Sequence, residues 1–201
     1  MNRFILSEDP GIAALMHCDK HVVKMILEEA QMLCTAHRVL DGTMVIREKY
    51  VEGSLPARFR KVKHWVHPNP DLDRILYKAT HINHPCAIWS RVCRDNYLWG
   101  YELLESLCEE YTHRYGKKHA TEGKLLKALS NAPHNIQYGL NMTEFPQAMP
   151  DDCKRPNAVE GYRQYYIEHK ARFAKWTNRT TPHWWPNQIN IPNKEDLDAN
   201  L

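Results

Sequence analysis

The segment of residues 16–40 constrains the fold most, because its mainly apolar side chains leave room for only a narrow polar strip. On a helix with 3.6 residues per turn, the strip residues follow a 4-3-4-3-4 spacing and fall within roughly an 80° arc. Most of the other positions are apolar, whereas a surface helix normally has a wider polar half. The segment therefore predicts a largely buried helix, whose polar strip consists of His17, His21, Lys24, Glu28, Gln31 and Thr35.

A narrow polar strip on a buried helix has two interpretations. It is either a thin seam that faces solvent or the lining of a cleft. In a cleft, Lys24 and Glu28 lie one turn apart, where each charge influences the pKa of the other.

The whole sequence predicts a mainly α-helical fold, a compact single-domain bundle of about five helices with long loops. The first helix is expected to begin at Pro10, to break near Asp19 and to stop at Asp41. Further helices are expected at about 70–80, 84–115, 121–129 and 157–176, with a short strand at 43–47. Residues 58–68 and 130–156 are expected to be long connections, residues 1–190 to form the domain, and 191–201 to form a flexible tail.

Composition favours a protein of the cytoplasm. The chain has no run of 18 apolar residues that could span a membrane, and its beginning, MNRFILSEDP, lacks the pattern of a signal peptide. Its six cysteines form no C-x-x-C pair, so they are expected to be free buried thiols.

Basic and aromatic residues alternate in two parts of the sequence. Residues 154–185 contain seven basic residues, two acidic residues and seven aromatic residues, and ARFRKVKHWVH forms a second basic cluster. Such interleaving is typical of proteins that bind a phosphate backbone with unstacked bases, although helix faces above a core of aromatic residues show it too. The sequence thus predicts DNA or a nucleotide as partner.

Three chemistries fit the polar strip. A metal is disfavoured, because HCDKH lacks the glutamate of the H-E-x-x-H motif and no third ligand is identifiable, so neither a metal nor a cofactor is predicted. The second chemistry is acid–base catalysis by His17 or His21 with Glu28. The third is covalent catalysis, in which Lys20 or Lys24 attacks a sugar carbon and Glu28 or Asp19 is the carboxylate partner.

Four strings carry the most informative order and spacing in the sequence. They are RFILSEDPGIAALMHCDKHVVKMILEEAQML, NHPCAIWSRVCRDNYLWGYELLESLCEEYTHRYGKKH, GYRQYY and TTPHWWP, and the most specific part is Asn83-His84-Pro85 with Trp89. These strings, which cover about two thirds of the chain, resemble the pyrimidine-dimer DNA glycosylase family of phages and bacteria, whereas His21 stands where the family has a basic Arg.

The resemblance implies a compact helical domain that excises a linked pyrimidine base and cleaves the strand at the abasic site. It also implies an N-terminal amine beside a glutamate. In this chain that amine would belong to Met1, because Asn2 is too large for efficient removal of Met1, and Glu28 would be the carboxylate.

The sequence therefore predicts a glycosylase and abasic-site lyase with an amine mechanism. The alternatives are a non-catalytic nucleotide-binding protein, a nucleotide-modifying enzyme of phage type, and a metal-dependent nucleotide hydrolase that uses His17 and His21. The predicted catalytic residues are Lys20, Lys24, Glu28, Asp19, His17 and His21, and the predicted substrate-binding residues are Asn83, His84, Arg91, His134, Arg163, Lys170 and Trp185.

Overall fold

The computed structural model describes residues 2–53, 55–56 and 58–186, and in this part the protein is compact and mainly α-helical. The predicted fold class is confirmed, although the described residues form seven α-helices rather than five. The predicted tail at 191–201 lies outside the described residues. The elements are α1 (Pro10–Met16), α2 (Asp19–Leu40), β1 (Thr43–Tyr50), β2 (Phe59–Val66), α3 (Pro70–Ile75), α4 (Pro85–Trp89), α5 (Arg94–Tyr115), α6 (Ala120–Leu129) and α7 (Ala158–Lys170).

The bounds of α1 and α2 follow from local chemistry and match the prediction. Asp9 accepts a hydrogen bond from the Ile12 N–H at 2.7 Å, and Pro10 occupies the first turn. The chain leaves α2 through Gly42, where a Cβ would lie 2.4 Å from the Arg38 carbonyl oxygen and 2.9 Å from that of Val66. Only glycine allows this close approach between the helix end and β2.

The β-hairpin corrects the prediction for residues 58–68, which were expected to form a connection. Residues 59–66 instead pair antiparallel with β1, in a register that runs from Thr43 opposite Val66 to Tyr50 opposite Phe59. β1 itself extends to Tyr50, three residues beyond the predicted end. Residues 59–66 lack the strict alternation of apolar and polar side chains that predicts a strand, because Val62 and Trp65 lie on opposite faces and most residues between them and Phe59 are basic.

The predicted long helix at 84–115 is divided into α4 and α5 by residues 90–93. Side chains stabilise this break by donating hydrogen bonds to main-chain carbonyl oxygens before and within α4. Arg91 donates to the Ala87 and Ile82 carbonyls, both at 2.8 Å, and Asn96 donates to the Trp89 carbonyl at 2.9 Å. The helix predicted at 70–80 ends at Ile75, and the one predicted at 157–176 ends at Lys170 and is followed by a single 3-10 turn.

Helices α2 and α5 pack together at the centre of the molecule, α1 packs on α5, and α6 packs on α2. The amino-terminal segment enters this core, where the side chains of Arg3 and Glu29 are both fully buried and form an ion pair. The Arg3 guanidinium also lies 5.0 Å from the ring centroid of Trp89 and 5.7 Å from that of Trp99. This anchor fixes the position of the residues next to it on both chain segments.

All six cysteines are buried and free, as predicted. None of the helices in the described ranges combines the length and the apolar character that crossing a membrane requires.

Candidate functional site

Glu28 lies at the centre of the candidate site, where α2 meets the amino-terminal segment. Its carboxylate accepts a hydrogen bond from the Asn2 main-chain N–H at 3.0 Å and lies 3.1 Å from the Lys24 ammonium. The Glu28 side chain is only 11% exposed, whereas that of Lys24 is 61% exposed. The site is therefore a nearly buried carboxylate that meets solvent beside a primary amine.

Asn2 is held in place by both its main chain and its side chain. Its side-chain nitrogen donates to the Ala148 carbonyl at 2.9 Å, and its side-chain oxygen accepts from the Arg3 N–H at 2.8 Å and from the Tyr162 hydroxyl at 3.4 Å. Arg3, the next residue, is locked into the core by Glu29. Met1, whose amine the family resemblance makes a candidate, lies outside the described residues.

His84 borders the same site from the start of α4. Its Nδ1 accepts the Cys86 N–H at 3.2 Å, so the ring caps the helix. Burial lowers the pKa of His84, the neighbouring His81 lowers it further, and Glu28 raises it. Glu28 thus lies beside Lys24 and within electrostatic reach of His84. Asn83, beside His84, is exposed.

His17 and His21 are buried and make internal contacts. Nδ1 of His17 lies 2.6 Å from the Ala13 carbonyl oxygen, and Nδ1 of His21 is hydrogen-bonded to the Tyr166 hydroxyl. Desolvation lowers the pKa of His17 to about 4 and that of His21 to about 2. Both rings are therefore neutral near pH 7, and this half of the polar strip lines the core rather than a cleft.

Asp19 is engaged in a structural network at the start of α2. Its carboxylate pairs with Arg114 at 2.9 Å and accepts hydrogen bonds from the Thr177 N–H at 3.0 Å and the Thr177 hydroxyl at 2.7 Å. The Asp19 N–H donates to the Lys175 carbonyl at 2.8 Å. Asp19 thereby ties the segment after α7 to α2 and α5, and it does not lie with Glu28.

Two other predicted lysines lie on aromatic rings. The Lys20 ammonium is 5.0 Å from the ring centroid of Phe173, and the Lys170 ammonium is 4.3 Å from that of Tyr165. Lys170 also donates to the Tyr165 hydroxyl at 3.1 Å. The three lysines lie around His21. Lys24 and Lys170 both lower the pKa of His21. Lys20 lies on the ring of Phe173, which packs against the His21 ring.

The remaining predicted binding residues have internal roles. Arg91 donates to the carbonyls of Ala87 and Ile82, as described above. Arg163 donates to the Leu6 carbonyl at 3.0 Å and lies 5.6 Å from the Trp184 ring centroid. Trp185 is buried against Trp176 at 5.0 Å between ring centroids.

His134 lies in a different place, at an open cavity of about 760 Å³ beyond the carboxyl end of α2. Its N–H donates to Asp41, one oxygen of which is 3.8 Å from Nε2 of His67. Within the described residues, His37, Asp41 and His67 each have one potential metal-binding atom within 4.8 Å of the others. Asp152, Cys153 and His169 form a second such group on the surface.

Hydrogen bonds limit what the first of these groups can bind. The Tyr97 hydroxyl donates to the Leu129 carbonyl at 2.9 Å, so the Tyr97 oxygen accepts from Nε2 of His37 and leaves Nδ1 of His37 with a free lone pair. Nδ1 of His67 instead accepts the Asn69 N–H at 3.1 Å, which places the ring proton on Nε2. In this arrangement only His37 and Asp41 present lone pairs to a cation.

Local sequence patterns do not point to three residues that build the site. Asn2 contacts Glu28, and Arg3 contacts Glu29, across 26 residues of the chain in each case. One signal was available: Glu29 is an acid on an otherwise apolar helix face, and a buried acid requires a cation or several donors.

Comparisons with protein-family models, with curated proteins and with solved structures found no match to this chain.

Proposed function

We propose that the protein is a DNA glycosylase with abasic-site lyase activity, which acts through an amine beside Glu28. The observation that carries the proposal is the contact of this nearly buried carboxylate with the Asn2 N–H at 3.0 Å and with Lys24 at 3.1 Å. Two amines can serve. One is Lys24 Nζ, and the other is the amino group of Met1, which covalent geometry keeps next to Asn2.

The chemistry requires a carboxylate in this position. The amine nitrogen donates its lone pair to C1′ of an extruded nucleotide, and the bond from C1′ to the base breaks with its electron pair on the base. The C1′–O4′ bond then breaks with its electron pair on O4′, which takes up the proton that Glu28 accepted from the amine, and the nitrogen lone pair forms the C=N bond of an iminium ion. Removal of a proton from C2′ expels the 3′ phosphate. Glu28 is placed to accept a proton from the amine before attack and to stabilise the cation that follows.

The surroundings of the site suit a phosphate backbone. Lys20 and Lys170 lie on the rings of Phe173 and Tyr165, and both lysines are on the side of α2 that carries Lys24. Cations above aromatic rings bind phosphates, while the rings provide surfaces on which unpaired bases stack. This arrangement supports DNA as the substrate class.

Borohydride trapping on duplex DNA with one abasic site tests the proposal, because borohydride reduces an iminium ion to a stable protein–DNA adduct. We expect an adduct with the unaltered protein and a loss of about 100-fold or more in its rate of formation in Glu28→Gln, the range for a general base. If no adduct forms with correctly folded protein, the lyase proposal is wrong.

A matched pair of lysine variants identifies the amine. Lys24→Met removes the amine beside Glu28, whereas Lys20→Met removes an exposed amine one turn earlier on the same helix. An adduct lost only in Lys24→Met assigns Lys24 as the nucleophile. An adduct that survives both changes and disappears after acetylation of the terminal amine assigns Met1.

A further inference from the structure

The β1–β2 hairpin carries a groove whose charge is almost entirely positive. Cross-strand partners share a face of the hairpin, so Lys49 and Arg60 lie side by side, and Arg47 and His64 lie further along the same face. Lys78, from the segment after α3, borders the groove from the other side. The groove has a volume of about 460 Å³, and Glu48 is the one acid among the described residues that line it.

Burial and neighbouring cations both lower the pKa of His64, which lines the groove. Burial lowers the pKa of His64, and the charges of Arg47, Arg38 and Lys78 lower it further, against a smaller opposing effect of Asp73. An imidazole that resists protonation because of its neighbours marks a place where an anion would be stabilised.

A single buried residue of α2 joins the two walls of the groove. Arg38 donates to the Trp65 carbonyl of β2 at 2.8 Å and to the Tyr77 carbonyl at 2.6 Å. It also pairs with Asp73 at 2.6 Å. The hairpin base and the segment that carries Lys78 are therefore fixed to one another, and the cations need little rearrangement to meet a ligand.

The segment that borders the groove also contacts α2. The Thr80 N–H, two residues after Lys78, donates to the Thr35 hydroxyl at 3.2 Å. Thr35 belongs to the polar strip and lies two helical turns from Glu28, roughly 10 Å along α2.

We propose that the β1–β2 hairpin is a docking arm for double-stranded DNA, in which Arg47, Lys49, Arg60 and Lys78 hold the phosphate backbone. The major groove of B-form DNA admits a two-stranded β-ribbon, whereas that of A-form RNA is too narrow for side chains to read. The contacts are made to phosphates, so the arm binds duplexes without regard to sequence. The choice of DNA rests on the proposed function, but docking requires neither damage nor catalysis.

Binding of the full chain to a short, undamaged, fluorescently labelled DNA duplex, measured by anisotropy over a range of KCl concentrations, tests the arm. We expect Lys49→Gln/Arg60→Gln to weaken binding by roughly tenfold or more and to reduce the slope of log K against log salt by about 1.8, which is about 0.9 per phosphate contact. The matched control is Lys61→Gln, which removes a hairpin cation that is the cross-strand neighbour of Glu48 but does not line the groove.

Three results would overturn the docking arm. They are equal effects of the groove and control variants, tighter binding to anionic phosphatidylglycerol vesicles than to the duplex, and no binding to the duplex. Lys49 and Arg60 are exposed, so unchanged thermal unfolding is expected and confirms that the variants fold. If the unaltered protein is trapped on abasic DNA at low salt but does not bind the undamaged duplex, only the arm is refuted, whereas binding of the duplex without any trapping would refute only the lyase.

Discussion

Glu28 and Glu29 are neighbours in sequence, yet they belong to two different environments. Glu29 points into the core, where its side chain and that of its partner Arg3 have no exposed surface. Glu28 points towards the polar strip, where its partner Lys24 is 61% exposed. Both carboxylates pair with a cation, so the presence of an ion pair does not distinguish a structural carboxylate from a functional one. The exposure of the cation makes this distinction, because only a cation in contact with solvent can move away from the carboxylate and admit a substrate.

The largest expected effect tests the buried side of this comparison. Arg3→Met leaves the Glu29 carboxylate buried without its cation, and we expect the free energy of unfolding to fall by about 3–5 kcal/mol in urea denaturation. Arg3→Met/Glu29→Met should recover a large part of the loss, because neither charge is then buried. A double variant no more stable than Arg3→Met would contradict this account.

Asp19 also pairs with a buried arginine, Arg114, and its replacement should cause the next largest fall in the free energy of unfolding. Asp19→Asn weakens the contacts with Arg114 and Thr177, and we expect a loss of about 2 kcal/mol, within the range for hydrogen bonds to charged groups. Asp95→Asn, at an exposed position in α5, is the control and should change stability by less than about 0.5 kcal/mol. Equal effects at the two positions would mean that the Asp19 network adds nothing.

The buried histidines predict how stability depends on pH. The pKa of His17 in the fold is about 4, below its ordinary 6.5, so between these values the unfolded chain binds a proton that the folded chain does not. The contribution of His17 to the free energy of unfolding is fully present above pH 6.5, and it falls by about 1.4 kcal/mol per pH unit as the pH decreases towards 4. His21 acts in the same direction, because its pKa is also lowered.

Denaturation at pH 7, 6 and 5 measures this dependence. His17→Gln should reduce the slope by the equivalent of about one proton. A slope that His17→Gln leaves unaltered would show that this histidine is not neutral in the fold.

The smallest effect on stability is expected for the exposed ion pair of Lys24 and Glu28. Lys24→Met removes a pair whose cation is largely exposed, and we expect a change of less than about 0.5 kcal/mol in the free energy of unfolding. Lys20→Met should be similar. A loss above about 2 kcal/mol in Lys24→Met would make the Lys24–Glu28 pair structural and would remove the distinction from Arg3–Glu29.

Local sequence patterns predicted α2 well, because caps, stop signals and apolar spacing act within a few residues. The bounds at Pro10, the break before Asp19 and the end at Leu40 all follow from such signals. The division between α4 and α5 was missed, since it contains neither proline nor glycine and depends on side chains of Arg91 and Asn96 that take main-chain carbonyls.

The candidate site was predictable only in part. Spacing placed His17, His21, Lys24 and Glu28 on one face of α2, but it does not say what covers that face. The first half is covered by Tyr166 and neighbouring rings, whereas Glu28 meets Asn2. Such contacts link residues far apart in sequence, and no periodicity within one helix contains information about them.

The contacts of the amino-terminal segment also determine when the protein can finish folding during synthesis. Leu6 accepts a hydrogen bond from Arg163, which is 157 residues later in the chain, and Asn2 binds Ala148. At typical rates of translation, these partners emerge from the ribosome roughly 8–30 s after the residues that await them. The nascent chain must keep its first residues soluble and unoccupied throughout that interval, so a chaperone or a fused tag that holds them would delay assembly of the site.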